Sequence, residues 1–245
     1  MDKLAELAKK YFRESFNYLV TDEQPDILLR GTGTIYSGAL LCVNIETPAG
    51  ILMPATRNAC LKFLHICLGL LRDIAAEMGA RIDWTEINSS GMVAYFVDHG
   101  YSNNVWQAIL SAIYVRACIE KLVPEISPVL GTLDMSASSS IHHAPFLVAE
   151  IGPRTGSLPG PVGAPLSMLH RMHEETPGSG IIVSDSALGQ LDLDEIFGKI
   201  LRLKAANYRK ALFRPIASLK AKGEIHKIFR FNEKNFEKLL SSVQA

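Results

Sequence analysis

Leu4, Leu7, Ala8, Tyr11, Phe12, Phe16 and Leu19 recur at helical spacing, which predicts an amphipathic helix over residues 2–19. The polar run Thr21-Asp22-Glu23-Gln24-Pro25-Asp26 then reads as a linker. A nearly unbroken apolar stretch predicts a strand at Gly38–Glu46, closed by a turn at Thr47-Pro48-Ala49-Gly50. From Arg57 to Met78 the pattern is helical but apolar on more than one face: Leu61, Leu64, Leu68 and Leu71 are joined by Phe63, Ile66 and Leu70. Such a helix is deeply buried or shared with a partner. A hairpin is expected next, from Arg81–Asn88 through Ser89-Ser90-Gly91 to Met92–Val97. A helix follows at 104–122, stopped by Pro124 and Pro128, and a strand begins within Pro128–Ser136.

The later segments are harder to place. Ser136–Ser140 reads as a polar low-complexity stretch before a strand at Phe146–Ile151, and the Gly/Pro-rich Gly152–Gly163 reads as a long exposed loop. A helix at Pro165–Glu175 leads into a short strand, Ile181-Ile182-Val183-Ser184. The element order is β-α-β-β-α-β with additions, an α+β sandwich rather than a doubly wound parallel sheet. There are no internal repeats.

Composition changes this picture little. With 245 residues and 48% hydrophobic content the chain can bury one substantial core. The longest apolar run, around Cys60–Leu71, is broken by Lys62 and His65, so no membrane span is expected. Met1-Asp2-Lys3-Leu4 lacks the basic-then-apolar order of a signal peptide. The four cysteines, Cys42, Cys60, Cys67 and Cys118, lie scattered in apolar segments and are expected to be reduced core residues of a cytoplasmic protein.

Charge is more informative in its distribution than in its total. The net charge is zero, yet residues 199–238 hold twelve Lys or Arg against three acids, a local balance of +9. A neutral total argues against dedicated nucleic-acid binding, and the basic segment is expected to be a solvated face that complements the acidic remainder or a second subunit. Gly31-Thr32-Gly33 with Gly38 is not a dinucleotide fingerprint. His142 and His143, adjacent on a strand, point to opposite faces, and His170 and His173 lack a carboxylate companion, so no metal site is expected.

Several blocks in order carry a family resemblance. They are Leu40-Leu41-Cys42-Val43-Asn44-Ile45-Glu46, Ser89-Ser90-Gly91-Met92-Val93-Ala94-Tyr95-Phe96, Gly163-Ala164-Pro165-Leu166-Ser167-Met168-Leu169-His170-Arg171 with Gly180–Ser184, and the closing pair Ser218–Gly223 and Ile228–Phe231. Together the chain resembles a degenerate class III adenylate/guanylate cyclase catalytic domain over residues 36–231. The resemblance implies a ferredoxin-like βαββαβ core within a cyclase-homology domain at 31–231. An N-terminal helix and linker (1–30) and a C-terminal helical tail (232–245) flank it.

The resemblance also implies which residues carry the chemistry. Members hold two Mg²⁺ ions between aspartates on adjacent strands, and Asn44 and Ser90 stand in those places. Neutral ligands hold so hard an ion poorly. Glu86 occupies the base-recognition position, where a carboxylate suits a guanine edge; strand alternation would set it on the face of Ile82 and Trp84. Gly160 and Ser167 replace the family's next Asp and Asn. Arg171 alone is retained, in a place where members stabilise the transferring phosphate, with Glu174 or Glu175 as its expected partner.

The sequence therefore leads to a catalytically inactive cyclase-homology protein, a homodimeric regulatory module whose groove binds a small molecule, a nucleotide or a protein segment, with no cofactor. The alternative is a divergent active cyclase with its Mg²⁺ ligands moved to Glu46 and Glu86. A third option makes the domain a scaffold, docked through its N-terminal helix and basic C-terminal segment.

Overall fold

The structure, a computed structural model, describes residues 19–21, 32–46, 67–88, 91–98, 103–122, 136–151, 158–176, 178, 180–193, 196, 205–221 and 223–244. The expected helix at 2–18, the first part of the helix at 57–78, and Cys60, Ser89 and Ser90 lie outside them. In chain order the strands and helices begin with β1 (Leu19–Thr21), β2 (Thr32–Glu46), α1 (67–77), β3 (Glu86–Asn88) and β4 (Gly91–Val97). They continue with α2 (Asn104–Ala117), β5 (Ser136–Ile151), β6 (Leu158–Val162), α3 (Ala164–Glu175), β7 (Gly180–Ser184) and α4 (Asp185–Gly189). The last are α5 (Ala205–Leu212), β8 (Phe213–Ala221), β9 (Glu224–Phe231) and α6 (Glu233–Gln244).

Among the described residues the strands form one mixed sheet in the order β3-β4-β2-β5-β7-β9-β8, with β1 beside β2 and β6 beside β5. The run β3-β4-β2-β5 is antiparallel throughout. With α1 and α2 as its crossovers this is the ferredoxin-like βαββαβ core expected from the element order.

The sheet is buried on both faces, which explains the unbroken apolar reading of its central strands. On one face Leu41, Val43 and Ile45 of β2 meet α1, α2, α4, α5 and α6 in the main core. On the other, Leu40 and Cys42 join Trp84, Val93, Tyr95, Phe146 and Leu169 beneath α3. Helix α2 starts where Asn103 caps it, its side chain accepting from the Trp106 N–H at 3.2 Å. It ends in a π-helical turn, Cys118–Leu122. No helix among the described residues is long and apolar enough to cross a membrane.

Four sequence expectations are corrected here. Ser136–Ser140 is not a polar spacer but the first part of β5, the 16-residue strand beside β2. Five residues of the expected loop at 152–163 are β6, paired with β5 from Ile151↔Leu158 to Leu147↔Val162. Residues 82–84 form a 3₁₀ turn rather than the start of a hairpin strand. Arg81 holds that turn, pairing with Asp83 at 3.0 Å and stacking its guanidinium 4.3 Å from the Trp84 ring centroid. Finally, Leu19 lies in β1, parallel to β2 at Thr32, rather than at the end of a helix.

Helix α6 follows the last strand of the resemblance yet belongs to the main core. Phe236 is buried there, its ring 5.5 Å from Trp106 and 5.7 Å from Phe231. At the start of α6, one turn before Phe236, Glu233 accepts from Arg116 of α2.

Candidate functional site

β2 alternates its side chains, so Asn44 and Glu46 share the α3-facing side with Leu40 and Cys42. Asn44 stands directly between Gly91 of β4 and Ser138 of β5. Gly91 is required at this point: a Cβ there would lie 1.9 Å from the Val43 carbonyl oxygen. The residue that follows Ser90 thus packs its backbone against the strand end that carries Asn44.

The serines of β5 explain how a polar run becomes a central strand. Ser138 meets His173 Nδ1 of α3 at 3.3 Å, and Ser140 donates to the Leu169 carbonyl at 3.3 Å. Further along the same face, His142 Nδ1 meets the hydroxyls of Ser184 at 3.0 Å and Ser186 at 3.1 Å. Ser138, Ser140, His142 and Ser184 are all buried. This row seats α3 and α4 on the sheet through hydrogen bonds, as buried polar groups require.

Burial decides the protonation of the two histidines. It pushes His173 down, and it lowers His142 to about 4, with His226 and His143 adding to the effect and Asp185 opposing it. Both imidazoles are held neutral near pH 7, so the row beside Asn44 is uncharged. Unfolded His142 binds a proton below about pH 6.5. The native state refuses it down to about pH 4, so the stabilisation is complete above pH 6.5 and is lost as the pH falls to 4. The cost across that window is about 3 kcal/mol. His142→Asn, which keeps an acceptor near the Nδ1 position, is expected to flatten the dependence of Tm on pH between 7 and 4.5.

Glu46 and Glu86, the expected alternative Mg²⁺ ligands, are already engaged and far apart. Glu46 accepts from the Ser136 hydroxyl at 2.9 Å. Glu86 accepts from the Tyr95 hydroxyl at 3.1 Å, and burial with this nearby carboxylate drives the Tyr95 phenol well above its usual range. Glu86 is exposed, on the edge strand β3 and opposite Val93 of the cluster that holds Trp84 and Tyr95. In register, Glu86 stands opposite Val93 and Val93 opposite Cys42, four residues before Glu46. Two strand spacings and four residues along place the two acids roughly 16 Å apart. One ion with ligands at about 2–2.6 Å cannot bridge them.

The donor set does not fit Mg²⁺. Asn44 offers one neutral oxygen, its neighbours are Ser138 and a neutral His173, the one acid of β2 on this face, Glu46, is engaged by Ser136, and among the described residues no three His, Cys, Asp or Glu converge on a point. No metal-dependent step is derived for this chain.

The structure does not bring Arg171 to Asn44. Its Nη2 donates to the Lys220 carbonyl of β8 at 3.0 Å, replacing the expected contact with Glu174 or Glu175. Ser167 lies exposed on α3, and Gly160 sits in β6 opposite Ala149, where an added Cβ would meet nothing within 4 Å. Cys42 and Cys67 are free and buried, and burial raises their thiols to about 11 and about 12. Neither is a nucleophile at neutral pH.

No protein-family model and no curated protein sequence matches the chain. Solved structures do match. The adenylyl cyclase CyaB from P. aeruginosa superposes with a TM-score of 0.59 at 13% identity, over 82% of this chain and 95% of that one. The guanylate cyclase domain of RhGC from Catenaria anguillulae, solved in complex with GTP, gives 0.56 at 13% identity, over 81% and 97%. A class III adenylyl cyclase-like ATP-binding protein from Pseudomonas aeruginosa gives 0.61 at 15% identity, over 78% of this chain and 43% of that longer chain. At these identities the likeness is one of fold: the chain has the architecture of a class III nucleotidyl cyclase catalytic domain.

Proposed function

We propose, with the class III cyclase fold as the premise, that this protein is a catalytically silent cyclase-homology module that works as a homodimer and holds a purine nucleotide without metal and without turnover. The observation that carries this proposal is the donor set at the end of β2. Asn44 lies between Gly91 and Ser138, beside a neutral His173, where a cyclase needs carboxylate charge. These are hydrogen-bonding groups suited to a neutral or anionic ligand edge and ill suited to a hard cation. The structurally similar cyclase-like protein described as ATP-binding supports a nucleotide as the ligand class. The reduced, buried cysteines suit the cytoplasmic setting of this proposal.

A cyclase with ligands relocated to Glu46 and Glu86 is disfavoured by their separation and by their bonds to Ser136 and Tyr95. Metal dependence separates the two accounts. Melting of the full chain is expected to rise with ATP or GTP to the same extent in EDTA as in Mg²⁺, since a ligand that binds only the native state stabilises it by mass action. A shift that appears only with the metal would contradict the proposal.

A further inference from the structure

At the end of the sheet, on the helix-layer side rather than under α3, a half-open cavity of about 480 Å³ lies between α2, the β8–β9 pair and the first turn of α6. Its charges are unevenly committed. Arg116 is bound to Glu120 at 2.7 Å and to Glu233, so this cluster is spoken for and carries one surplus negative charge. Arg214 and Arg230 also line the cavity and stand directly opposite each other across β8 and β9. Lys234 joins them from α6. Among the described residues none of these three cations has an ion-pair partner, and Glu237 is the one lining carboxylate left unengaged.

Two guanidinium groups facing each other across a strand pair repel and destabilise it. The arrangement is relieved when an oxyanion sits between them, because guanidinium forks match phosphate oxygens in pairs. Gly180 lies beside the site: a Cβ there would be in ordinary contact, 4.0 Å from Arg116 Nη1 and from Arg230 Cδ and Nε, so both arginine side chains pass this glycine (φ 133°). Helix α6 starts at the cavity, its N-terminus already answered by Glu233 in the first turn and by Asn232 Oδ1, which accepts from the Asn235 N–H. Phe231 and Ile113 supply an apolar wall. The volume exceeds that of a bare phosphate and falls in the range of small-molecule sites.

We infer that this cavity binds a phosphorylated small molecule, its phosphate held by Arg214, Arg230 and Lys234 and its carbon skeleton against Phe231. The site is separate from the Asn44 groove. Asn44, Ser138 and Gly180 are successive partners across three strands, which puts the near edge of the cavity about 10 Å from Asn44.

The test is thermal melting of the full chain at low salt with inorganic phosphate, ribose 5-phosphate and ribose. Ribose 5-phosphate is expected to raise Tm by about 3–5 °C at ten times its Kd, with a smaller rise for phosphate at equal concentration and none for ribose. The shift should fall steeply with added salt. It should vanish in Arg214→Gln and Arg230→Gln, each melting no lower than wild type without ligand because a like-charge contact has been removed. It should persist in Asn44→Ala, which separates this site from the nucleotide groove. Equal shifts from phosphate and ribose 5-phosphate would overturn the assignment to a phosphorylated skeleton and leave a phosphate site. No shift, or one that survives both arginine substitutions, would overturn the site itself.

Discussion

Gly91→Ala is expected to destabilise the protein by more than about 4 kcal/mol, enough to leave little soluble folded chain. The cause is geometric. The new Cβ would lie 1.9 Å from the Val43 carbonyl oxygen and 3.0 Å from its carbon, both backbone atoms of the central strand, so no side chain can move aside to accept it. Separating β4 from β2 at this point would break the pairing at Asn44↔Gly91 and Val43↔Met92 and expose Met92 and Ile45, both in the main core. Gly38→Ala carries the same penalty at the other end of the pair, with 2.3 Å to the Phe96 oxygen. Gly160→Ala is the control: with nothing within 4 Å of its Cβ, the change is expected to be neutral or to stabilise by up to about 1 kcal/mol. Urea melts of the three variants check the ranking. A Gly91→Ala protein as stable as Gly160→Ala would refute the close approach of β2 and β4.

Phe236→Ala is expected to cost about 3–5 kcal/mol, the range for emptying a buried aromatic site. The ring fills the space between Trp106 of α2 and Phe231 of β9, so its loss leaves a cavity inside the main core rather than a gap at a surface. Deleting 232–245 would add the loss of the Arg116–Glu233 pair and leave Arg116 with Glu120 alone. A truncated chain that fails to bind a partner would therefore be reporting on folding first. Leu240, exposed on the same helix, tests a docking role without that complication: Leu240→Ser is expected to leave stability within about 0.5 kcal/mol of wild type.

The central strands were legible because burial on both faces writes itself as continuous hydrophobicity, as in Leu40–Val43 and Met92–Val97. What the sequence hid had three physical causes. Ser138 and Ser140 are polar yet central, since their hydroxyls bond a helix that follows 29 to 35 residues later. Leu158-Pro159-Gly160-Pro161-Val162 carries two prolines, which a strand tolerates at an edge, and among the described residues β6 pairs with β5 alone. The Arg81 stack on Trp84 accompanies a 3₁₀ turn in a run of strand-like residues, so that only Glu86–Asn88 of the expected strand pairs with β4.

The partners of the site residues were not legible. Asn44 could be set where the family carries a carboxylate only through the resemblance of its strand. Arg171 could not be matched to Lys220, which lies 49 residues away on another element. The facing of Arg214 and Arg230 depends on the register of β8 and β9, which passes through an irregularity between Pro215 and Ala217. Counting residues along the hairpin does not reveal it.

The central claim is that the fold persists while the metal chemistry is gone. Its most direct test is incubation of the purified full chain with ATP and with GTP, in Mg²⁺ and in Mn²⁺, followed by chromatographic detection of cyclic nucleotide. The expected result is no cyclic AMP or cyclic GMP above the protein-free blank, under conditions where the same nucleotides raise Tm. Time-dependent formation of either product by the wild-type chain, abolished by Arg171→Ala, would contradict it.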